Sequence, residues 1–164
     1  MKKLAVAFTG PSNSGKTTLI SKIATILLQK YKVAIIKNDP KDKATFDVEG
    51  KDSDIFTKTG AETVVVSPTR TTYFSHNSRS LEDIIAMLGD FEVLLVEGLK
   101  TLPLPRIAIF RNQIDEDYFA SSNAIAIDES VDITLYQIPS HIEILDLNDP
   151  DSIIAWIFNN AKEV

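Results

Sequence analysis

The sequence predicts an α/β fold in which helices cover a mainly parallel β-sheet, a three-layer arrangement. Two observations support this prediction. Short apolar runs typical of fully buried strands alternate along the chain with segments of helical periodicity. The first strand, the first helix and the second strand also follow one another within residues 4–36, which implies a parallel strand pair with a right-handed crossover. We therefore expect a single α/β domain over residues 1–164.

The first half of the chain begins with this β-α-β unit and continues into a less regular region. Leu4–Thr9 and Val33–Ile36 are apolar enough to be buried strands, and residues 16–29 carry apolar side chains at helical spacing. The polar, patternless residues 38–51 predict a long loop. The elements predicted after it are a short helix over Ser53–Thr59 with Ser53 as N-cap and Gly60 as its stop, strands over Thr63–Val66 and Thr71–Phe74, and a helix over residues 81–88 between Ser80 and Gly89.

The second half is predicted to add further strands and a final helix. The helix opens at Asp149-Pro150-Asp151, because proline is favoured in the first turn. In folds of this type ligands bind beyond the carboxyl ends of the strands, where the loop after the first strand, the loop after Ile36 and Glu97 should converge. The predicted strands are Phe91–Val96, Ile107–Phe110, Ala124–Ile127, Ile133–Leu135 and Ile142–Leu145.

Composition limits the classes of function. The chain has 17 basic and 23 acidic residues, and its net charge of −6 argues against a general affinity for nucleic acid. It has no cysteine, so a metal would be bound by carboxylates, hydroxyls or the two histidines. No apolar run approaches the roughly 18 to 20 residues that cross a bilayer, and no signal-peptide cleavage site follows the apolar N-terminal run. We expect a cytoplasmic protein that binds neither nucleic acid nor a membrane.

A phosphate-binding motif stands directly after the first strand. Its residues are Gly10-Pro11-Ser12-Asn13-Ser14-Gly15-Lys16-Thr17-Thr18, which match G-x-x-x-x-G-K-[ST] between a strand and a helix. Backbone N–H groups of such a loop form a concave anion site, and the helix N-terminus adds its own donors. Lys16 is expected to reach the β- and γ-phosphates, and the Thr17 hydroxyl to bind Mg²⁺. The alternative is an ordinary Gly/Ser turn. With every motif position filled, the sequence predicts a P-loop NTPase-like domain that binds a nucleoside triphosphate through residues 10–18, the phosphate loop.

Two carboxylates are candidate metal ligands beside this loop. Glu97 ends a buried strand, the position where phosphate-loop enzymes hold Mg²⁺ directly or through water; the alternative is a glutamate that faces solvent. Asp39 follows the second strand by three residues, where switch-like elements contact the γ-phosphate and metal. Taken alone, its charged loop is better explained by solvation, but the position of the loop after the second strand favours a functional part. We therefore predict Thr17, Glu97 and Asp39 as metal ligands.

Arg111 and three absent features bear on the type of reaction. Arg111 follows an apolar strand, where it could meet an anionic ligand or form a surface salt bridge. The [NT]-K-x-D segment that reads guanine in switch GTPases is not found, so motifs alone do not separate GTP from ATP. No glutamine is obviously placed to orient an attacking water, so any hydrolysis is expected to be slow. No arginine-rich lid segment is present, which disfavours a kinase.

Several stretches together resemble the MobB family, the adapter proteins of molybdopterin guanine dinucleotide biosynthesis. The resemblance runs nearly from end to end. It implies a GTP-binding homodimer that assists a molybdopterin guanylyltransferase (MobA) in joining GMP to molybdopterin. One departure is that Asn38-Asp39-Pro40-Lys41 stands where family members commonly carry a histidine-bearing segment. The stretches that carry the resemblance are the phosphate loop, Ile35-Ile36-Lys37, residues 47–53 with Gly50-Lys51-Asp52-Ser53, residues 58–61, Val96-Glu97-Gly98-Leu99-Lys100, residues 109–111 and residues 145–149.

Two functions of different class follow from these observations. The first is a nucleotide-binding adapter with weak or no intrinsic GTP hydrolysis. The second is a small P-loop kinase that phosphorylates a metabolite, a reaction that needs an acceptor site and a closing lid. A metallochaperone GTPase is disfavoured, because the chain has no cysteine and no histidine-rich tract.

Overall fold

The computed structural model describes residues 2–164, which form two compact units. The first unit contains the residues up to Asn38 together with Asp90–Val164, and the second unit is Asp39–Gly89. The first unit contains β1 (Leu4–Thr9), α1 (Lys16–Leu27), β2 (Val33–Lys37), β5 (Val93–Glu97), β6 (Arg106–Ile109), β7 (Ala124–Ile127), β8 (Glu143–Asp146), α4 (Pro150–Asn160), β9 (Lys162–Glu163) and two 3₁₀ helices (Glu116–Ser121 and Ile133–Leu135). The second unit contains α2 (Asp52–Lys58), β3 (Thr63–Val66), β4 (Thr71–Phe74) and α3 (Leu81–Leu88).

The first unit is built on a mainly parallel sheet with the strand order β2-β5-β1-β6-β7-β8. Strand β1 lies between β5 and β6 and is parallel to both, while the short β9 pairs antiparallel with the start of β1. Glu97 at the end of β5 is in register with Phe8 of β1 and with Lys37 of β2. The carboxyl ends of these strands therefore meet at one edge of the sheet, and the predicted α/β fold class is confirmed.

Alternating side chains bury both faces of this sheet. On one face, Ile107 and Ile109 of β6 pack with residues of α1 and α4, among them the fully buried Ile23 and Ile157. On the other face, Phe110 packs with Phe119 of the first 3₁₀ helix, and its ring meets that of Tyr118 edge-on at 5.6 Å. Burial on both faces explains why these strands appear in the sequence as continuous apolar runs.

The second unit consists of an antiparallel β3-β4 hairpin and two helices. Ser80 caps α3 as predicted, because its hydroxyl oxygen accepts the backbone N–H of Asp83 at 3.1 Å. The carboxylate of Glu62 accepts hydrogen bonds from Ser75 and Asn77, and His76 contacts the carbonyl oxygen of Thr57 at 2.6 Å.

Two local predictions are wrong. Helix α2 begins at Asp52, with Lys51 at the N-cap position and no side-chain cap, so Ser53 lies inside the helix. Ile133–Leu135 is a 3₁₀ helix and not a strand. The Asp132 carboxylate accepts the N–H of Thr134 at 3.1 Å and so closes a turn. A run of three β-branched or apolar residues is too short to form a strand in competition with this local hydrogen bond.

Of the helices within residues 2–164, none combines the length and the apolarity needed to cross a bilayer.

Candidate nucleotide-binding site

The phosphate loop leaves β1 at its carboxyl end and enters α1 at Lys16. Three of its residues have positive φ angles: Gly10 at 138°, Asn13 at 61° and Gly15 at 95°. Glycine adopts such angles without steric cost, and asparagine tolerates them better than most residues. The residue types of the motif are therefore those that this backbone path requires.

Gly10 also marks a close approach to the sheet, and Gly15 lies beside a cationic side chain. A Cβ atom on Gly10 would lie 2.4 Å from the carbonyl oxygen of Ile109 in the neighbouring β6. A Cβ atom on Gly15 would lie 3.4 Å from the guanidinium carbon of Arg111. The first glycine thus lets the loop turn against the sheet, whereas a Cβ on the second would make only ordinary van der Waals contact with Arg111.

Lys16 folds back over the loop that precedes it. Its ammonium group donates hydrogen bonds to the carbonyl oxygens of Gly10 at 3.0 Å and Pro11 at 2.6 Å. Burial lowers the pKa of this ammonium; the Glu97 carboxylate opposes the shift, and Lys37 adds to it. Desolvation of a cation beside a row of loop N–H groups strengthens its attraction for an anion.

A cavity of about 490 Å³ opens beside the loop, and we call it the phosphate-loop cavity. It brings together most of the residues that the sequence predicted as ligands. Gly10 and Pro11 lie under Lys16, and the hydroxyl oxygen of Ser14 is buried without a hydrogen-bond partner. The cavity is lined by Ser12, Asn13, Gly15, Lys16, Thr17, Thr18, Glu97 and Arg111.

Glu97 forms the acidic wall of this cavity. Its side chain is only 16% exposed, and its Oε2 atom lies 3.0 Å from the ammonium nitrogen of Lys37. A carboxylate and the Thr17 hydroxyl in one cavity are the oxygen ligands that Mg²⁺ prefers, together with phosphate oxygens. The donor set therefore fits a magnesium–nucleotide complex.

Asp39 is the first residue of the second unit. Its Oδ2 atom accepts the backbone N–H groups of Lys43 at 2.8 Å and Ala44 at 2.7 Å, which folds the start of the long loop. Its part in metal binding stays a prediction. Within residues 2–164, no three histidine, aspartate or glutamate side chains cluster in a way that could hold a metal without other ligands.

Arg111 forms the salt bridge that was one of its two predicted contacts, and it stands beside the cavity where an anionic ligand would bind. It lines the phosphate-loop cavity, and its Nε atom lies 3.1 Å from Oδ2 of Asp128. Asp128 directly follows β7, the strand next to β6. The sequence gives no sign of this pair, because seventeen positions separate the two residues and only the strand order brings them together.

A segment that resembles the guanine-reading pattern lies in the same loop. Asn112-Gln113-Ile114-Asp115 differs from [NT]-K-x-D only by glutamine in place of lysine, and a search that allowed this change would have found it. Asn112 has a φ angle of 65°, and its N–H donates to the Ser130 hydroxyl oxygen at 2.8 Å. The exposed Asp115 accepts the N–H of Asp117 at 3.1 Å through Oδ1.

The second unit has a larger cavity, of about 860 Å³. The Gly50-Lys51-Asp52-Ser53 stretch lines it together with Phe56 and strand β3. Asp47 also lines this cavity, and its Oδ2 atom is buried without a hydrogen-bond partner. This stretch belongs to the family resemblance but lies outside the lining of the phosphate-loop cavity.

Comparison with known proteins identifies the family. The sequence profile of MobB, molybdopterin guanine dinucleotide synthesis protein B, matches residues 5–130. The chain belongs to the MobB family. It is 29% identical to the molybdopterin-guanine dinucleotide biosynthesis adapter protein of Haemophilus influenzae over 162 residues, which covers 94% of this chain and 87% of that protein. It is also 29% identical to a putative adapter of the same name from Methanocaldococcus jannaschii over 126 residues, which covers 73% of this chain but only 53% of that longer protein.

Solved structures place this MobB family member in the same fold class. The crystal structure of Bacillus subtilis MobB superposes with a TM-score of 0.76 at 23% identity, covering 96% of this chain and 98% of that one. The hydrogenase maturation factor HypB from Archaeoglobus fulgidus superposes with a TM-score of 0.52 at 17% identity, covering 96% of this chain and 87% of that one. At these identities the likeness shows the fold alone.

Gly10→Ala should destabilise the first unit, because the added methyl group meets the Ile109 carbonyl oxygen at 2.4 Å and the φ angle is strained. We expect a loss of about 2 to 4 kcal/mol in the free energy of unfolding, measured in urea by circular dichroism and by the fluorescence of Trp156. Gly60→Ala is the control: its φ angle is 87°, but no atom lies within 4 Å of its added Cβ, so only about 1 to 2 kcal/mol should be lost. Equal losses for the two variants would contradict the close approach at β6.

Proposed function

We propose that this chain is a GTP-binding adapter protein in molybdopterin guanine dinucleotide biosynthesis, which assists a guanylyltransferase and hydrolyses GTP weakly or not at all. The observation that carries the proposal is the phosphate-loop cavity, with Lys16, Thr17 and Glu97 in its wall, in a chain of the MobB family. Relatives named as adapters of this biosynthesis support this function over the metabolite kinase.

Phosphate binding rests on the loop backbone and two cationic side chains. The loop supplies N–H groups at a helix N-terminus, and Lys16 and Arg111 supply positive charge on the cavity wall. Bound Mg²⁺ would neutralise phosphate charge, with the Thr17 hydroxyl and the Glu97 carboxylate as its protein ligands. Gly10, Pro11, Ser12, Asn13, Ser14, Gly15 and Thr18 complete the cradle.

Preference for GTP over ATP is supported by the Asn112–Asp115 segment. Guanine presents two donors on one edge, N1–H and the 2-amino group, whereas adenine has an acceptor and a C–H at the corresponding positions. A carboxylate such as Asp115 accepts both guanine donors at once. The segment follows β6, whose strand neighbour β1 carries the phosphate loop, so both lie beyond carboxyl ends of the same sheet.

Weak hydrolysis is supported by the chemistry of the cavity wall. Fast hydrolysis requires a group that orients the attacking water, commonly a glutamine. The lining residues within the described chain include no glutamine, and Glu97, their one carboxylate, is paired with Lys37. A nucleotide bound in this way is better suited to presentation to a partner enzyme than to hydrolysis.

A homodimer is supported by the apolar surface of the second unit. This unit contains most of the large apolar side chains that the described chain exposes, and β3 alone exposes Val64 by 55% and Val66 by 72%. Exposed apolar patches of this kind mark protein interfaces. The second copy, or the guanylyltransferase, would cover Phe46, Val48, Ile55, Phe56, Val64, Val65, Val66 and Tyr73.

Lys16→Ala should lower GTP affinity by about 100-fold, since it removes a charge-assisted contact to phosphate.

Glu97→Gln should lower affinity with Mg²⁺ present, but should leave it unchanged or raise it without Mg²⁺, because a carboxylate near the phosphates then only repels them. Calorimetric titration with and without Mg²⁺ measures both effects, with the exposed Lys22→Ala in α1 as control. Unchanged affinity in Lys16→Ala would contradict the phosphate site, and equal losses for Glu97→Gln in the two conditions would remove Glu97 from the metal site.

Asp115→Asn should lower GTP affinity by about 10- to 100-fold and raise affinity for xanthosine triphosphate, whose C2 carbonyl can accept from the new amide. The 3₁₀ helix should persist, because asparagine caps as well as aspartate. Asp117→Asn is the control, since it removes a neighbouring exposed carboxylate from the same helix. If both variants keep the wild-type preference, Asp115 does not read the base.

The adapter function predicts capture by a molybdopterin guanylyltransferase. Chemical cross-linking of the purified proteins should give a complex that strengthens with GTP, and Lys16→Ala should remove this GTP dependence. Absence of any complex, with or without GTP, would contradict the adapter function.

Sedimentation of the chain by itself should give twice its mass of 18.2 kDa, and a single-chain mass would contradict the homodimer.

A further inference from the structure

Arg111 lies where a residue that binds phosphate would be expected. It follows β6 by two residues, and β6 is parallel to and paired with the phosphate-loop strand β1. Its guanidinium group lies beside Gly15 of the phosphate loop, where an added Cβ would be 3.5 Å from Nε and 3.6 Å from Nη2, in ordinary van der Waals contact. The side chain is 45% exposed, and it lines the same cavity as Lys16 and Thr17.

The guanidinium group is held from behind by Asp128. The contact uses Nε of the arginine and Oδ2 of the aspartate, at 3.1 Å, and the Asp128 side chain is only 11% exposed. Among residues 2–164, neither Nη group of Arg111 donates a hydrogen bond to the protein. The two outer nitrogens are therefore the part of the fork that can donate to a ligand oxygen.

Asp128 is itself fixed in place by Ser130. The backbone N–H of Ser130 donates to Oδ1 of Asp128 at 3.1 Å, and its hydroxyl donates to the same oxygen. The hydroxyl oxygen of Ser130 also accepts the N–H of Asn112 at 2.8 Å, which ties the loop after β7 to the loop after β6. The Ser130 hydroxyl lowers the pKa of the Asp128 carboxyl, with a smaller contribution from Arg111, so this carboxylate is ionised near neutral pH.

We propose that Arg111 binds the phosphates of the nucleotide in the phosphate-loop cavity, and that Asp128 is the residue that positions it. The proposal rests on the proposed function, since it requires a nucleotide in that cavity. An exposed ion pair contributes little to stability, whereas a guanidinium fork held by a fixed carboxylate loses little further freedom when it meets phosphate. The anchored Nε and the Nη groups, which keep their donors available beside the loop, match this second role.

The test is GTP titration of Arg111→Ala, Arg111→Lys, Asp128→Asn and the double variant Arg111→Ala/Asp128→Asn. Arg111→Ala should lower GTP affinity by about 10- to 100-fold, and Arg111→Lys should restore only part of it, because lysine keeps the charge but lacks the fork. Asp128→Asn should lower affinity less, and it should add no loss in the Arg111→Ala background, since its effect acts through Arg111. Arg70→Ala, which removes an exposed arginine of the second unit, is the matched control and should bind as wild type.

Each contrary outcome is decisive. Wild-type affinity in Arg111→Ala, with unchanged unfolding in urea, would mean that Arg111 forms a surface ion pair only. An additive loss in the double variant would remove the positioning role of Asp128. If wild-type protein and Lys16→Ala are equally unable to bind GTP, the proposed function itself fails; if Lys16→Ala loses binding while Arg111→Ala keeps it, only this inference fails.

Discussion

The parallel pairing of β1 with both β5 and β6 is the constraint on which the site depends. Because parallel strands end at the same edge of a sheet, this pairing places the phosphate loop, Glu97 and Arg111 beside one another. The approach is so close that Gly10 has no room for a side chain against the Ile109 carbonyl. A shift of β6 by one residue would exchange the faces on which its side chains lie and so would disturb this arrangement.

The same arrangement sets the electrostatics of the cavity. The chain carries a net charge of −6, yet the loop edge has the cations Lys16, Lys37 and Arg111, of which Lys37 is paired with Glu97 and Arg111 with Asp128. The positive charge is thus concentrated at this edge. The net negative charge of the whole chain disfavours nonselective binding of polyanions. Glu97 is partly neutralised by Lys37 at 3.0 Å, so phosphate is not opposed by an isolated negative charge. A metal ion would take over that neutralisation.

Local patterns predicted the parts of the site that depend on neighbours in sequence. The phosphate loop and the position of Glu97 follow from an apolar strand and the residues at its end, and the Ser80 cap follows from the helix start it precedes. The contact of Arg111 with Asp128 depends on the pairing of β6 with β7, which no single-sequence pattern encodes. The strand predicted over Ile133–Leu135 failed because one aspartate side chain closed a turn that apolar composition does not reveal. The part of Asp39 in metal binding stays a prediction, because its hydrogen bonds to Lys43 and Ala44 fold the start of the long loop and do not test it.

The distribution of chemistry between the two units has a further consequence for how an adapter could act. The first unit contains a phosphate cradle, cationic side chains and a magnesium-type donor set, while the family-specific Gly50-Lys51-Asp52-Ser53 stretch and most of the exposed apolar side chains belong to the second. In the proposed function, nucleotide binding and protein binding would thus belong to different segments of one chain. Coupling between them requires that GTP bind more tightly when the partner is bound, and by linkage the partner must then bind more tightly to the GTP-loaded chain by the same factor. Such coupling needs no hydrolysis. A cavity that binds phosphate, and whose described lining includes no glutamine to orient water, would suit the proposed adapter.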